Sequence, residues 1–168
     1  MFQKLLVAID RSSESRSVFE AALAMAKASH ASLMVLHVLS PFDETYPTDP
    51  YIGVPTIATQ VYLDRWKEQE QIGIEILRSL QTEATYAGVP TEFTQNLGEP
   101  GRTICALAKT WNADLILIGR RGLNGLSELF LGSVSNYVVH HAPCSVLIVQ
   151  KQPHAHPTEQ PATATISV

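Results

Sequence analysis

The chain has 168 residues, with 12 Lys and Arg against 16 Asp and Glu, a formal net charge of −4. That length and a 45% hydrophobic share fit one domain with a sizeable core. The acidic balance excludes a global basic field that would draw nucleic acid or an anionic membrane, and no apolar run approaches the roughly 20 residues that a bilayer demands. Cys105 and Cys144 stand far apart. "MFQKLLVAID" carries no cleavage-type signal, so a disulfide framework is not expected and the cytoplasm is the expected compartment.

In chain order, the first apolar run is "KLLVAI" (Lys4–Ile9). Asp10 follows, and then Ser12 or Ser13 can N-cap a helix with Glu14 at its positive end. Val18, Ala22, Met25 and Ala26 give that helix an apolar stripe. "SLMVLHV" (Ser32–Val38) reads as a second strand. The segment Ser40–Thr59 holds four prolines and neither period, so it is read as an irregular insertion. Trp66, Gly73, Ile76, Leu77, Leu80 and Ala84 recur at helical steps and read as a core-facing stripe, which "AGVP" terminates.

"TEFTQNL" (Thr91–Leu97) alternates polar and apolar residues, as an edge strand does. Pro100 then starts a helix with Ile104, Ala108 and Trp111 on one face. "DLILIG" (Asp114–Gly119) is a fourth strand. A last helix, "GSVSNYVVHHAPC", turns Val134 and Val138 inward and ends at Pro143. "SVLIV" (Ser145–Val149) is the fifth strand. The first, fourth and fifth runs are nearly continuous in apolar residues, the pattern of strands buried on both faces in parallel sheets. Strands alternating with helices predict an α/β doubly wound, Rossmann-like parallel open sheet over residues 1–150. Residues 151–168 are polar and read as a flexible tail.

The informative stretch is "GRRGLNGLSELFLGSVSNYV", which begins where the fourth strand ends. Its glycines could serve a turn with φ > 0, or they could let backbone N–H groups approach a phosphate. Ligands of open α/β sheets bind at the carboxyl ends of the strands, where the strand order reverses. If the first and fourth strands are neighbours, Asp10 shares a crevice with Gly119, Gly122 and the helix start at Gly132–Ser133. That helix start favours an anion. Asp10 could instead only cap the first helix, and Ser133 and Ser135 could be plain caps. Arg120 and Arg121 are either phosphate contacts or solvated charges. Gly125 reads as loop flexibility.

The spacing is neither G-x-x-x-x-G-K-[ST] nor G-x-G-x-x-G. It is G-x-x-G, nine residues, then G-S. Together with "KLLVAIDRSSES", "LMVLHV" and "GEPGRTI", it resembles the ATP-binding motif of the universal stress protein family. The resemblance implies a five-stranded sheet of order 3-2-1-4-5. It implies an adenine-nucleotide site at Ala8, Ile9, Asp10, Val38, Ile118, Gly119, Gly122, Gly132, Ser133, Val134 and Ser135, holding ATP or another adenine nucleotide. Mg²⁺ could bridge the phosphate oxygens, since it needs few protein ligands. The resemblance also implies a homodimer through Ser145–Val149.

His37 reads as a satisfied buried histidine, and His140 and His141 as helix-end charges. His154 and His156 lack a third metal ligand. Cys105 and Cys144 read as packing. No catalytic set can be assembled. The expected role is a nucleotide-binding stress or signalling protein whose ligand state sets its conformation or its affinity for an unidentified protein partner. A slow Mg-dependent ATPase or autophosphorylating phosphotransferase, and a nucleotide-independent dimeric interaction module, are the competing readings.

Overall fold

The computed structural model describes residues 2–40, 57–120 and 131–150. The nine elements among them are β1 (Lys4–Ile9), α1 (Glu14–Ser29), β2 (Ser32–Leu39), α2 (Ile57–Tyr86), β3 (Thr91–Leu97), α3 (Pro100–Trp111), β4 (Leu115–Gly119), α4 (Ser133–His141) and β5 (Ser145–Val149). All sheet pairings are parallel, in the order β3-β2-β1-β4-β5.

Strand alternation divides the core in two. Leu5, Val7 and Ile9 of β1 join Leu115 and Leu117 of β4 on one face, where Phe19 and Ala22 of α1 and Leu77 and Ala84 of α2 cover them. Leu6 of β1 joins Ile116 and Ile118 on the other face, under Ile104 and Ala108 of α3 and Val138 of α4. The central strands are therefore apolar on both sides, as helices on both faces require. Fully burying a side chain such as Phe19 contributes about 1.5–3 kcal/mol relative to leaving it exposed.

Four local expectations are corrected. β5 takes the edge position that the order 3-2-1-4-5 implies, but it is not buried on both faces as its apolar run suggested: Leu147 is 37% exposed, at the edge of the sheet where helices cover the strand least. α2 begins at Ile57, so the last three residues of Ser40–Thr59 are helical. The other residues of that segment, 41–56, lie outside the described ones, as does the tail 151–168. Trp66 is only half-buried, and the α2 core stripe starts near Ile74. Ser13 occupies the N-cap position of α1 with αR backbone and makes no side-chain cap bond.

Two capping arrangements escaped the sequence reading. Glu99 caps α3 by accepting from the N–H groups of Gly101 and Arg102 at 3.0 and 2.8 Å. Helices α1 and α3 both end on a non-glycine residue with left-handed backbone, His30 at φ 53° and Asn112 at φ 56°.

His37 and Gln95 sit side by side on β2 and β3, 3.0 Å apart from Nδ1 to Oε1, and His37 is 6% exposed. The expected satisfied buried histidine is what the fold contains. Gly73 of α2 lies directly over the pair, and a Cβ there would stand 2.7 Å from His37 Nδ1. The glycine lets the helix backbone approach the strands closely.

Candidate functional site

β1 pairs with β4 in the register Leu5↔Leu115, Leu6↔Ile116 and Val7↔Leu117, so their carboxyl ends lie together. Chain direction reverses its march across the sheet here: β2 and β3 go one way from β1, β4 and β5 the other. Such a switch point leaves a crevice between the diverging connections. A cavity of about 150 Å³ opens in it.

The end of β1 lines this cavity with Ala8, Ile9 and Asp10, and the end of β2 with Val38. β4 contributes Ile118 and Gly119, with Arg120 just beyond. The start of α4 brings Gly132, Ser133, Val134 and Ser135. All of these were singled out from sequence. Gly122 and Arg121 lie outside the described residues. Sequence reasoning did not place in the site Ser12 of the β1–α1 loop, Glu14, Ser15 and Val18 of α1, Ser40 after β2, or Pro100 and Ile104 of α3. The signal for Ser12 and Ser15 was their spacing from Asp10. Ile104 was recognised only as a helix-stripe residue.

The glycines answer a question the sequence left open. Gly132 has φ −58° and ψ 159°, a backbone open to any residue. Gly119 is not among the residues with positive φ. Neither glycine serves a left-handed turn. A Cβ on Gly119 would stand 3.1 Å from Val18 Cγ2, so close packing against α1 also favours a glycine there. Gly132 borders the cavity where α4 begins. Lacking a side chain, it leaves the first N–H groups of α4 open to approach.

Asp10 is held by its own loop. Its Oδ1 accepts from the Ser12 N–H at 2.9 Å, from the Ser15 hydroxyl at 2.7 Å, and from the Ser12 hydroxyl. The Asp10 N–H donates to Ser15 Oγ at 2.8 Å. Glu14 lies on the same side of the cavity. Its own backbone N–H, and then the Ser13 hydroxyl, hold its carboxyl below the ordinary carboxylate range. The β1–α1 side is thus acidic. The β4–α4 side carries Arg120, which donates from Nη1 to Gln150 Oε1 at 3.2 Å, and the positive end of α4.

Ser135 is buried, and its hydroxyl donates to the Gly119 carbonyl at 2.9 Å. Its one proton is therefore committed to the protein, not to the cavity. Ser133 is exposed. Among the described residues no group of three or more His, Cys, Asp and Glu side chains could hold a metal ion. Burial pushes the Cys105 and Cys144 thiols up, and both side chains pack against the α3–α4 core, which fits a packing role. His141 stacks on Tyr137 with centroids 4.0 Å apart, at the end of α4 and away from the lining.

A doubly wound parallel sheet with a helix N-terminus at its switch point defines the class of open α/β folds in which ligands bind outside the carboxyl ends of the strands. The chain belongs to the universal stress protein family, whose pattern it matches over residues 1–150. A universal stress protein of Synechocystis sp. is 42% identical over 154 residues, covering 89% of this chain and 98% of that protein. The structure of UspA from Lactobacillus plantarum is similar at TM-score 0.71 and 25% identity, covering 88% of this chain and 97% of the other. A universal stress protein solved in complex with cAMP is similar at TM-score 0.64 and 25% identity, covering 89% and 97%. Among the described residues no helix is long and apolar enough to cross a membrane.

Proposed function

We propose that this chain is a nucleotide-responsive stress protein that binds ATP, or another adenine nucleotide, at the switch-point cavity. The observation that carries the reading is Gly132. It borders the cavity at a helix N-terminus, and its backbone conformation gives no reason for a glycine. Space for a ligand does. The similarity to a family member solved with cAMP supports the adenine class.

The lining suggests one orientation. Ala8, Val38, Ile104 and Ile118 form an apolar wall suited to a base. Asp10 is an acceptor for ribose hydroxyls. Phosphates run toward Gly132, Ser133 and Arg120, away from the carboxylates of Asp10 and Glu14, because like charges repel. Mg²⁺ would ride on phosphate oxygens with few protein ligands. The ligand state would set conformation or partner affinity. Slow hydrolysis or autophosphorylation is a secondary reading, supported only by the exposed Ser133 hydroxyl beside the cavity.

Calorimetric titration of nucleotide-stripped protein with ATP, with and without Mg²⁺, tests the reading against Gly132→Val. Micromolar binding to the native chain, abolished by the added side chain, is the expected result. No heat of binding with either preparation would remove the nucleotide and leave the fold as an interaction module.

The same sheet supports a homodimer. β5 presents a strand edge that has no neighbouring strand among the described residues, with Leu147 exposed beside it, a surface that a second copy could pair with.

A further inference from the structure

We infer that Ser15 is a positioning residue that fixes Asp10 for recognition of a ribose diol, so that the site prefers ribonucleotides to analogues lacking the sugar hydroxyls. The inference rests on the nucleotide reading above.

The geometry is a two-way clamp. One hydroxyl, Ser15 Oγ, accepts from the Asp10 N–H at 2.8 Å and donates to Asp10 Oδ1 at 2.7 Å. Backbone and side chain of Asp10 are thereby locked to the same atom. Ser12 adds its N–H at 2.9 Å and its hydroxyl to the same oxygen. Two of these three donors are side-chain hydroxyls and not first-turn N–H groups of α1. Helix capping alone would call for the reverse. The donors gathered on Oδ1 fix the plane of the carboxylate.

Asp10, Ser12 and Ser15 all line the cavity, so the clamp stands at the ligand and not behind it. A carboxylate held in this way accepts hydrogen bonds and donates none. It suits paired hydroxyls and repels phosphate. An acceptor fixed in advance loses less rotamer entropy when the ligand arrives, which is the benefit of preorganisation.

The test titrates the native chain, Ser15→Ala and Ser15→Thr with ATP and with 2′,3′-dideoxy-ATP, with thermal unfolding of each variant as a check on folding. Loss of an oriented charge-assisted hydrogen bond predicts roughly tenfold weaker ATP binding by Ser15→Ala. Dideoxy-ATP binding should change little, so the preference for the ribose form collapses. Ser15→Thr, which keeps the hydroxyl, should restore it. Asp10→Asn should abolish the preference, and adding Ser15→Ala to it should cost nothing further. Equal loss for both nucleotides, or an unchanged preference, would overturn the clamp and leave the nucleotide site standing. Failure of the native chain to bind either nucleotide would overturn the nucleotide reading itself, and the clamp with it.

Discussion

The Ser135 hydroxyl and the Gly119 carbonyl meet at 2.9 Å, joining the first turn of α4 to the last residue of β4. The two residues are 16 apart in sequence, and ten of the intervening positions, 121–130, lie outside the described residues. This bond ties the first turn of α4 to the sheet. It therefore helps set the distance between the helix N-terminus and the strand lip.

Ser135→Ala should lower unfolding free energy by about 1 kcal/mol, since the bond from a buried hydroxyl to the Gly119 carbonyl is lost. Urea denaturation would measure it. Ser135→Thr keeps the donor and should recover part of the loss. A Ser135→Ala variant as stable as the native chain would mean that solvent replaces the bond freely.

Gly73→Ala sets two effects against each other. Alanine gains about 1 kcal/mol in helix propensity over glycine. Its Cβ, however, would stand 2.7 Å from His37 Nδ1 and 2.9 Å from Cε1, on a ring fixed inside the sheet. Overpacking of this kind costs about 1–3 kcal/mol, so net destabilisation of roughly 1 kcal/mol is expected. Moving Gln95 away with Gln95→Ala should not rescue it, because the histidine ring remains. A rise in Tm for Gly73→Ala would show that α2 can lift off the strands at little cost.

His30→Gly and Asn112→Gly should both stabilise the fold, and unequally. Both residues hold left-handed backbone at the end of a helix. Asparagine tolerates that region better than histidine, so His30→Gly should gain about 0.5–1 kcal/mol and Asn112→Gly less. Thermal melts of the two variants would rank them. The opposite ranking would assign His30 a role beyond ending α1.

On the acid side, Asp114 matters. Its Oδ2 accepts from the Gln3 and Lys4 N–H groups at 2.8 and 2.9 Å, and those bonds hold its carboxyl below the ordinary range. Glu83 is lowered in the same direction by its paired bonds to the Arg16 guanidinium. A depressed folded-state pKa contributes stability above the unfolded value, near 4 for these groups, and that stability is lost as pH falls through the folded value. Asp114 is exposed and Glu83 is more than a third exposed, so screening by solvent keeps each below about 1 kcal/mol. Asp114→Asn should flatten the loss of stability below pH ~4. An unchanged slope would assign acid sensitivity elsewhere.

Leu147→Asp tests the sheet edge. If β5 pairs with a second copy, the charge should convert the dimer to a monomer in light scattering while leaving the fold intact. A native chain that is already monomeric at high concentration would rule out the edge as a self-association surface.

Much of this arrangement was legible in the residues. Strand and helix order followed from the change in period, and the central strands announced their two covered faces through "LLVAI" and "LILI". β5 misled for a physical reason: an apolar run looks the same whether a helix or a solvent-exposed edge lies beyond it. Asp10 was identifiable from its place at the end of β1. Its clamp was not, because hydroxyl geometry depends on how α1 turns after the loop, and composition does not encode that turn. Glu99 escaped for a similar reason, since glutamate is not a usual cap and only the Pro100 start explains why its side chain reaches back. Gly73 was read as one member of a stripe, while its real neighbour is a histidine from a strand 36 positions earlier.

Helix α2 runs 30 residues, about 45 Å at 1.5 Å per residue. Its core contacts are made by the stretch from Ile74 to Ala84, whereas most described side chains between Leu63 and Glu70 are exposed. The stretch from Ile74 to Ala84 should therefore melt only with the hydrophobic core. The turns from Leu63 to Glu70, held mainly by polar bonds from Arg11 and Gln95, should open at a lower free energy, which hydrogen exchange would read as weaker amide protection.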